Sequence, residues 1–308
     1  MIAGEVHKVA DAILYEGYAL YPYRASNVKN RQRWTFGGLY PPKYAPHTGD
    51  RSSFQAEMLI ECSSDPVVDV TVRFLHLVEE ERAGESWQTG IEREVRVSQG
   101  ASAQSFTFPA WQRVEDGVVQ RQEQVDGVIE IMREGLENGH QKLTVRVTNV
   151  SGLAQSNQLS RNDASLHALI SAHAIVRVAG GEFVSLTDAP APLKHAIERC
   201  ENQGVWPVLA GEPLARDCML VSPIILSDYP QVAPESPGDL FDGAEIDEIL
   251  TLRILTMTDS EKEEMRQMDE RTRRILERTE NLSPSQLMQL HGTLRNPHAL
   301  AADPRSKS

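Results

Sequence analysis

The feature that most narrows the folds open to this chain is a period-two alternation of apolar and polar residues through its first half. In QAEMLIEC, Ala56, Met58, Ile60 and Cys62 share one face while Gln55, Glu57 and Glu61 take the other. VVDVTVRFLHLV sets Val68, Val70, Val72 and Phe74 against Asp69, Thr71 and Arg73, and KLTVRVTNVSG sets Leu143, Val145 and Val147 against Thr144, Arg146 and Thr148. Side chains of a strand point alternately to its two faces, so each segment predicts a strand with one buried and one wetted side. Antiparallel sheets suit that pattern; parallel sheets, covered on both faces, do not. Further short strands are expected at IEREVRV, SFTF, HAIVRV, EFVSL, VWPVL and CMLVSPIIL, with turn signals at ENGH and AGGE. The prediction is a mainly β fold, an antiparallel β-sandwich or irregular barrel, with a helical C-terminal extension.

Helical signals come late. In LKHAIERCENQG, Leu193, Ala196, Ile197 and Cys200 fall at i, i+3, i+4 and i+7, and Gly204 is a stop. A second helix is expected through AEIDEILTLRIL. A third begins at the capping-box spacing Thr258 to Glu261 and runs to about Glu280, and a short fourth lies in NLSPSQLMQLHG. The expected layout is a β-rich body over 1–227, a proline-rich connector over 228–243, a helical segment over 244–292 and a disordered tail over 293–308.

Charge excludes some function classes. The net charge of −13 opposes general binding to nucleic acid or to anionic membranes, which needs clustered Lys and Arg. No stretch approaches the roughly 20 apolar residues of a spanning helix, and the N-terminus MIAGEVHKVADAILYEGY lacks the apolar core of a signal peptide. Three cysteines without a paired spacing read as reduced thiols. The expectation is a cytoplasmic protein without membrane insertion.

Two blocks of opposite charge stand out. Between Gly17 and Gly49 there is no acidic residue, and Arg24, Lys29, Arg31, Arg33 and Lys43 are threaded through the chain's densest run of aromatics. From Asp217 to Leu252 there are eight acidic residues and no Lys, Arg or His. The first block can be edge strands with core aromatics and solvated charges. It can also pair with the acidic block within the chain, or recognise a partner, since Tyr, Trp and Arg dominate interface hot spots. The partner reading takes Tyr21, Tyr23, Arg24, Lys29, Asn30, Arg33 and Trp34 as a contact surface. Asp228, Tyr229, Glu235 and Asp239 join them from a connector stiffened by Pro223, Pro230, Pro234 and Pro237. On either pairing, Arg24, Lys29, Arg31 and Arg33 have acidic groups or an interface nearby; all four in open solvent would favour the edge-strand reading.

No strong catalytic motif is present: neither a phosphate-binding loop, a dinucleotide fingerprint, HExxH nor GxSxG. The nearest metal candidates are His167 and His173 in HALISAH, but six residues of strand span about 20 Å, too far for one ion without a bend. Cys62 and Cys200 fall on apolar faces and Cys218 starts a strand, where thiols act as small hydrophobes. No catalytic residue, metal or cofactor is assigned. A hydrolytic or metal-dependent enzyme on a β-sandwich and a structural subunit of a larger particle are the alternative classes.

ILYEGYALYPYRASNVKNRQRW with FGGLYP near the start, and SPIILSDYPQVAPESPGDLFDGAEIDEILTLRILTMTDSEKEEMRQMDERTRRIL near the end, carry a family likeness, and GGEFVSLTD and GVWPVLAGEP fit it too. Together they resemble a bacterial family encoded in the gene clusters of high-affinity, oxygen-tolerant nickel–iron (NiFe) hydrogenases. The resemblance spans most of the chain and is weakest over about 80–160. It implies an accessory role beside the hydrogenase, in maturation, assembly or scaffolding, with hydrogenase subunits or maturation factors as partners. It implies no catalytic residue.

Overall fold

The computed structural model describes residues 2–15, 36–63, 65–115, 117–153 and 159–232, with scattered positions between 254 and 281. Two antiparallel sheets face each other. Their strands are β1 (Ser53–Glu61), β2 (Val67–Arg82), β3 (Glu85–Arg96), β4 (Ala103–Phe108), β5 (Trp111–Glu115), β6 (Val118–Gln122), β7 (Val125–Gly135), β8 (His140–Asn149), β9 (Ile170–Ala179), β10 (Glu182–Phe183), β11 (Trp206–Leu209) and β12 (Cys218–Ser222). The five-stranded sheet runs β10-β1-β8-β7-β4, and the seven-stranded sheet runs β11-β12-β9-β2-β6-β5 with β3 also on β2.

The long strand β2 organises the second sheet. Its Thr71–Arg73 stretch pairs with both β9 and β3, whereas Glu79–Glu81 pairs with both β6 and β3. Strands β9 and β6 therefore share one side of β2 at opposite ends, and β3 lines the other side. Tight turns set these registers. Ala83 and Gly84 both take positive φ between β2 and β3, as do Asn138 and Gly139 between β7 and β8, the conformation that matches a hairpin's twist.

The apolar faces predicted by alternation meet between the sheets. Phe54, Met58 and Ile60 of β1 and Leu143, Val145 and Val147 of β8 pack with Val70, Val72 and Phe74 of β2 and Ala174 and Val176 of β9. Gly127 is required here, because the Phe106 ring of the neighbouring strand occupies the space a Cβ would take.

Two features differ from the sequence reading. The central strands are buried on both faces: β2 alternates only at its start and then stays buried from Val72 to Val78. The cause is a second layer. Helix α1 (Ile2–Leu14) lays Val6, Val9, Ala10 and Ile13 on Ile175, Val208 and Leu220, outside the seven-stranded sheet. Tyr15, Tyr40, Tyr44 and Leu153 cover Leu75 and Leu77 beside it. Each large side chain so covered adds about 1.5–3 kcal/mol. Helices are thus not confined to the C-terminal part: α1, α2 (Ala45–Thr48) and α3 (Arg161–Ser165) all precede α4 (Lys194–Glu198).

Helix α4 is shorter than its periodicity suggests and ends before Cys200. The following residues are drawn onto β1 instead. Gln203 and Gln55 exchange backbone hydrogen bonds at 2.8 and 3.0 Å, and Glu201 N–H donates to Glu57 at 2.9 Å. EFVSL yields only the two-residue β10, because Ser185 turns away to bond Asp228. In the C-terminal part, Lys262 N–H donates to the Thr258 carbonyl, consistent with a helix starting there. Glu280 accepts from Arg266 and pairs with Lys262 at 3.2 Å. One straight helix would hold positions 262 and 280 about 27 Å apart, so the expectation of a single straight helix from Thr258 to Glu280 is corrected by this contact. The expected connector beyond residue 232, the second and fourth helices and the tail lie outside the described residues, except for the buried helical Ile254 and the turn at Asn281.

Candidate interaction site

The sequence after β12 leaves the sheet as SPIILSDYPQV and straps back across its edge. Alternation directs the first turn of this strap. Ile224 and Leu226 pack beneath α1, leaving Ile225 pointing outward and 89% exposed. Pro223 closes on Gly37, where a Cβ would collide with the proline ring. Asp228 then fixes the strap. One carboxylate oxygen accepts from Leu209 N–H at 2.9 Å; the other accepts from the Ser185 and Thr187 hydroxyls at 2.5 and 2.9 Å. Tyr229 N–H donates to the Leu209 carbonyl at 2.7 Å. Both outward groups of Leu209 on edge strand β11 are thereby satisfied.

A second loop, from Ala210 to Asp217, stands beside the strap. Leu214 is 87% exposed and takes φ +73°, a left-handed conformation that costs a branched residue of order 1 kcal/mol or more. Tyr229 also takes a positive φ, and its phenol meets the Leu214 backbone. Burial raises the Tyr229 pKa, Asp228 adds to the rise, and Arg216 and the Leu214 contact oppose it. Arg216 anchors the loop's other end, donating to the Phe183 carbonyl at 2.8 Å and pairing with Glu182 and Glu61. Two well-tied loops thus hold a leucine and an isoleucine in water.

The predicted contact residues separate. Tyr21, Tyr23, Arg24, Lys29, Asn30, Arg31, Arg33, Trp34, Glu235 and Asp239 lie outside the described residues. Asp228 and Tyr229 are placed, and they fasten the strap. The described end of the basic–aromatic block gives core residues: Tyr40 and Tyr44 are buried with ring centroids 5.5 Å apart, and Lys43 reaches the Leu153 carbonyl. Described residues of the two charge blocks meet, though through Gly37 and Pro223 rather than through charge.

His167 and His173 are not brought together. His167 follows α3 and faces the Gln124 carbonyl at 3.4 Å. His173 lies buried under α1 beside Arg73 and bonds the Ser171 carbonyl at 2.8 Å through Nδ1, which leaves Nε2 without a partner. Desolvation, helped by the Arg73 charge and opposed by the Ser171 hydrogen bond, lowers its pKa to about 4. Among the described residues no group of three His, Cys, Asp or Glu is placed to hold a metal ion. The cysteines are free thiols, and burial pushes Cys200 and Cys218 up to about 11, away from reactive thiolates.

A cleft of about 610 Å³ lies on the outer face of the five-stranded sheet. Its charges are mostly spent on one another. Glu57 accepts from Thr144 and from Glu201 N–H and lies 3.7 Å from Lys142, which pairs with Glu134 at 3.0 Å. Arg146 donates to Gln55. This is a solvated polar sheet face with its hydrogen bonds closed.

No helix among the described residues is long and apolar enough to cross a membrane. No protein-family model matches the chain, and no curated protein matches it in sequence.

Proposed function

We propose that the protein is a cytoplasmic accessory, assembly or scaffolding factor that works through protein–protein contacts, with a NiFe hydrogenase subunit or maturation factor as its partner. The carrying observation is that Leu214 and Ile225, on two loops that meet at Tyr229, are both left exposed. Covering one such side chain is worth about 1.5–3 kcal/mol, and here both are left to water on loops fixed by Asp228 and Arg216. A fixed loop has its ordering cost met before binding, so a partner gains most of the burial energy. The hydrogenase part of the proposal rests on the family resemblance alone.

The test is affinity purification from a native host with wild type and a Leu214→Asp, Ile225→Asp variant. Recovery of a hydrogenase subunit or maturation factor by wild type only supports both parts. A specific partner of another kind, lost in the variant, keeps Leu214 and Ile225 as contacts and removes the hydrogenase. The same set of proteins from both baits sinks their role as contacts.

A further inference from the structure

A different surface carries a different partner. Strand β5 ends the β2-β6-β5 arm and, among the described residues, pairs only with β6. Its register, from Trp111 opposite Gln122 to Glu115 opposite Val118, closes over a two-residue connection at 116 and 117. In such a hairpin the pair flanking the turn exchanges both hydrogen bonds, and the pattern alternates from there. Glu115, Arg113 and Trp111 therefore spend their backbone groups on β6, and the N–H and C=O of Val114 and Gln112 face outward. The strand is exposed from Gln112 to Glu115, and Val114 is 69% exposed, the largest value for a described valine. WQRVE contains no lysine, proline or bulge; its protection as an edge is its short length and the charges of Arg113 and Glu115.

We infer that β5 is a self-pairing edge whose occupant is β5 of a second copy of this chain, antiparallel about a two-fold axis through Val114. The register is fixed by two independent facts. Val114 has its backbone groups turned outward, so opposite its own copy it forms a pair that exchanges both hydrogen bonds. The same register sets Arg113 of each copy directly opposite Glu115 of the other, and these side chains share one face of the strand. Centring on Arg113 instead would oppose two arginines, which is unfavourable. In the single chain, Arg113 lies 3.9 Å from Glu115, stacks on Trp111 and donates to Gln120, so both charged groups already stand at the pairing edge. A five-residue strand pair buries less than a standard stable interface. The dimer is accordingly concentration-dependent.

Sedimentation across a concentration series tests this on the full chain. Wild type should move from the 34.3 kDa monomer toward twice that mass. Val114→Pro removes an outward N–H that pairs with no described residue, so circular dichroism and melting should stay as in wild type while the dimer is lost. Arg113→Glu should weaken pairing about tenfold by opposing like charges at both symmetry-related positions. Adding Glu115→Arg in the same chain should restore it, which a merely structural effect would not do. A wild type that stays monomeric throughout, or a dimer that Val114→Pro leaves intact, overturns the inference.

Discussion

The guanidinium of Arg73 donates to the Asp11 carboxylate at 2.7 Å, joining helix α1 to the centre of the seven-stranded sheet. Arg73 is almost wholly buried, and Glu92 and Glu94 stand at 3.4 and 3.9 Å on its other side. The three carboxylates keep partial contact with water, so the desolvation falls mainly on the cation.

That asymmetry predicts unequal costs. Asp11→Ala leaves a buried cation with two weaker partners and should cost roughly 1–2 kcal/mol. Arg73→Met keeps the apolar stem and removes the desolvated charge, so it should cost no more than Asp11→Ala. Urea denaturation of both variants checks the order; a much larger loss in Arg73→Met would show that the ion cluster is a net stabiliser.

Two buried histidines set an acid limit on stability. Desolvation lowers His76 and His173 to about 4, against 6.5 in an unfolded chain. Between those values the unfolded state binds protons that the native state refuses, so stability falls as pH drops from about 6.5 to about 4. The slope is about 1.4 kcal/mol per pH unit for each ring. Denaturation midpoints measured through this window should flatten by about half in His76→Gln or His173→Gln.

Asp228→Ala removes a carboxylate that accepts three hydrogen bonds. The expected loss is roughly 2–4 kcal/mol, with faster hydrogen exchange at Leu209 and Tyr229. Ser185→Ala leaves Asp228 its bonds from Thr187 and Leu209 but also removes the acceptor of the Thr187 and Asp188 N–H groups, so it should cost less than Asp228→Ala and loosen the 185–188 turn. A loss larger than that of Asp228→Ala would show that this turn, not the strap, carries the stability.

Leu214→Asp and Ile225→Asp should leave stability within about 0.5 kcal/mol of wild type, since both side chains are already in water. On the proposed function their effect falls on partner binding, where an anchor residue is worth about 2 kcal/mol or more. Calorimetry against the captured partner separates the two quantities. A large fall in melting temperature would instead place these residues in the fold's own energetics.

Much of the fold was legible because alternation is a local signal. Val68 to Phe74 and Leu143 to Val147 announced their faces, and those faces meet in the core. Helix α1 was legible too, through Val6, Val9, Ala10 and Ile13 at i, i+3, i+4 and i+7, but it went unread beside the stronger strand pattern. The β5–β6 hairpin gave no such signal: its inward side carries Trp111, Arg113, Gln120 and Gln122, which no apolar pattern marks. The site was harder. Asp228 drew notice as an exposed acid, yet its partners Ser185, Thr187 and Leu209 lie about 20 to 40 residues away in sequence. Leu214 and Ile225 read as core residues in any window, and only the completed fold turns them outward.

The capping of Leu209 has a consequence for the shape of any protein that binds Leu214 and Ile225. With its N–H held by Asp228 and its C=O by Tyr229, strand β11 offers a newcomer no backbone ladder at this position. Recognition at Leu209 itself must proceed through side chains. For the proposed partner, the complementary surface then offers hydrophobic sockets to Leu214 and Ile225, and discrimination becomes a matter of socket depth rather than of strand-forming tendency.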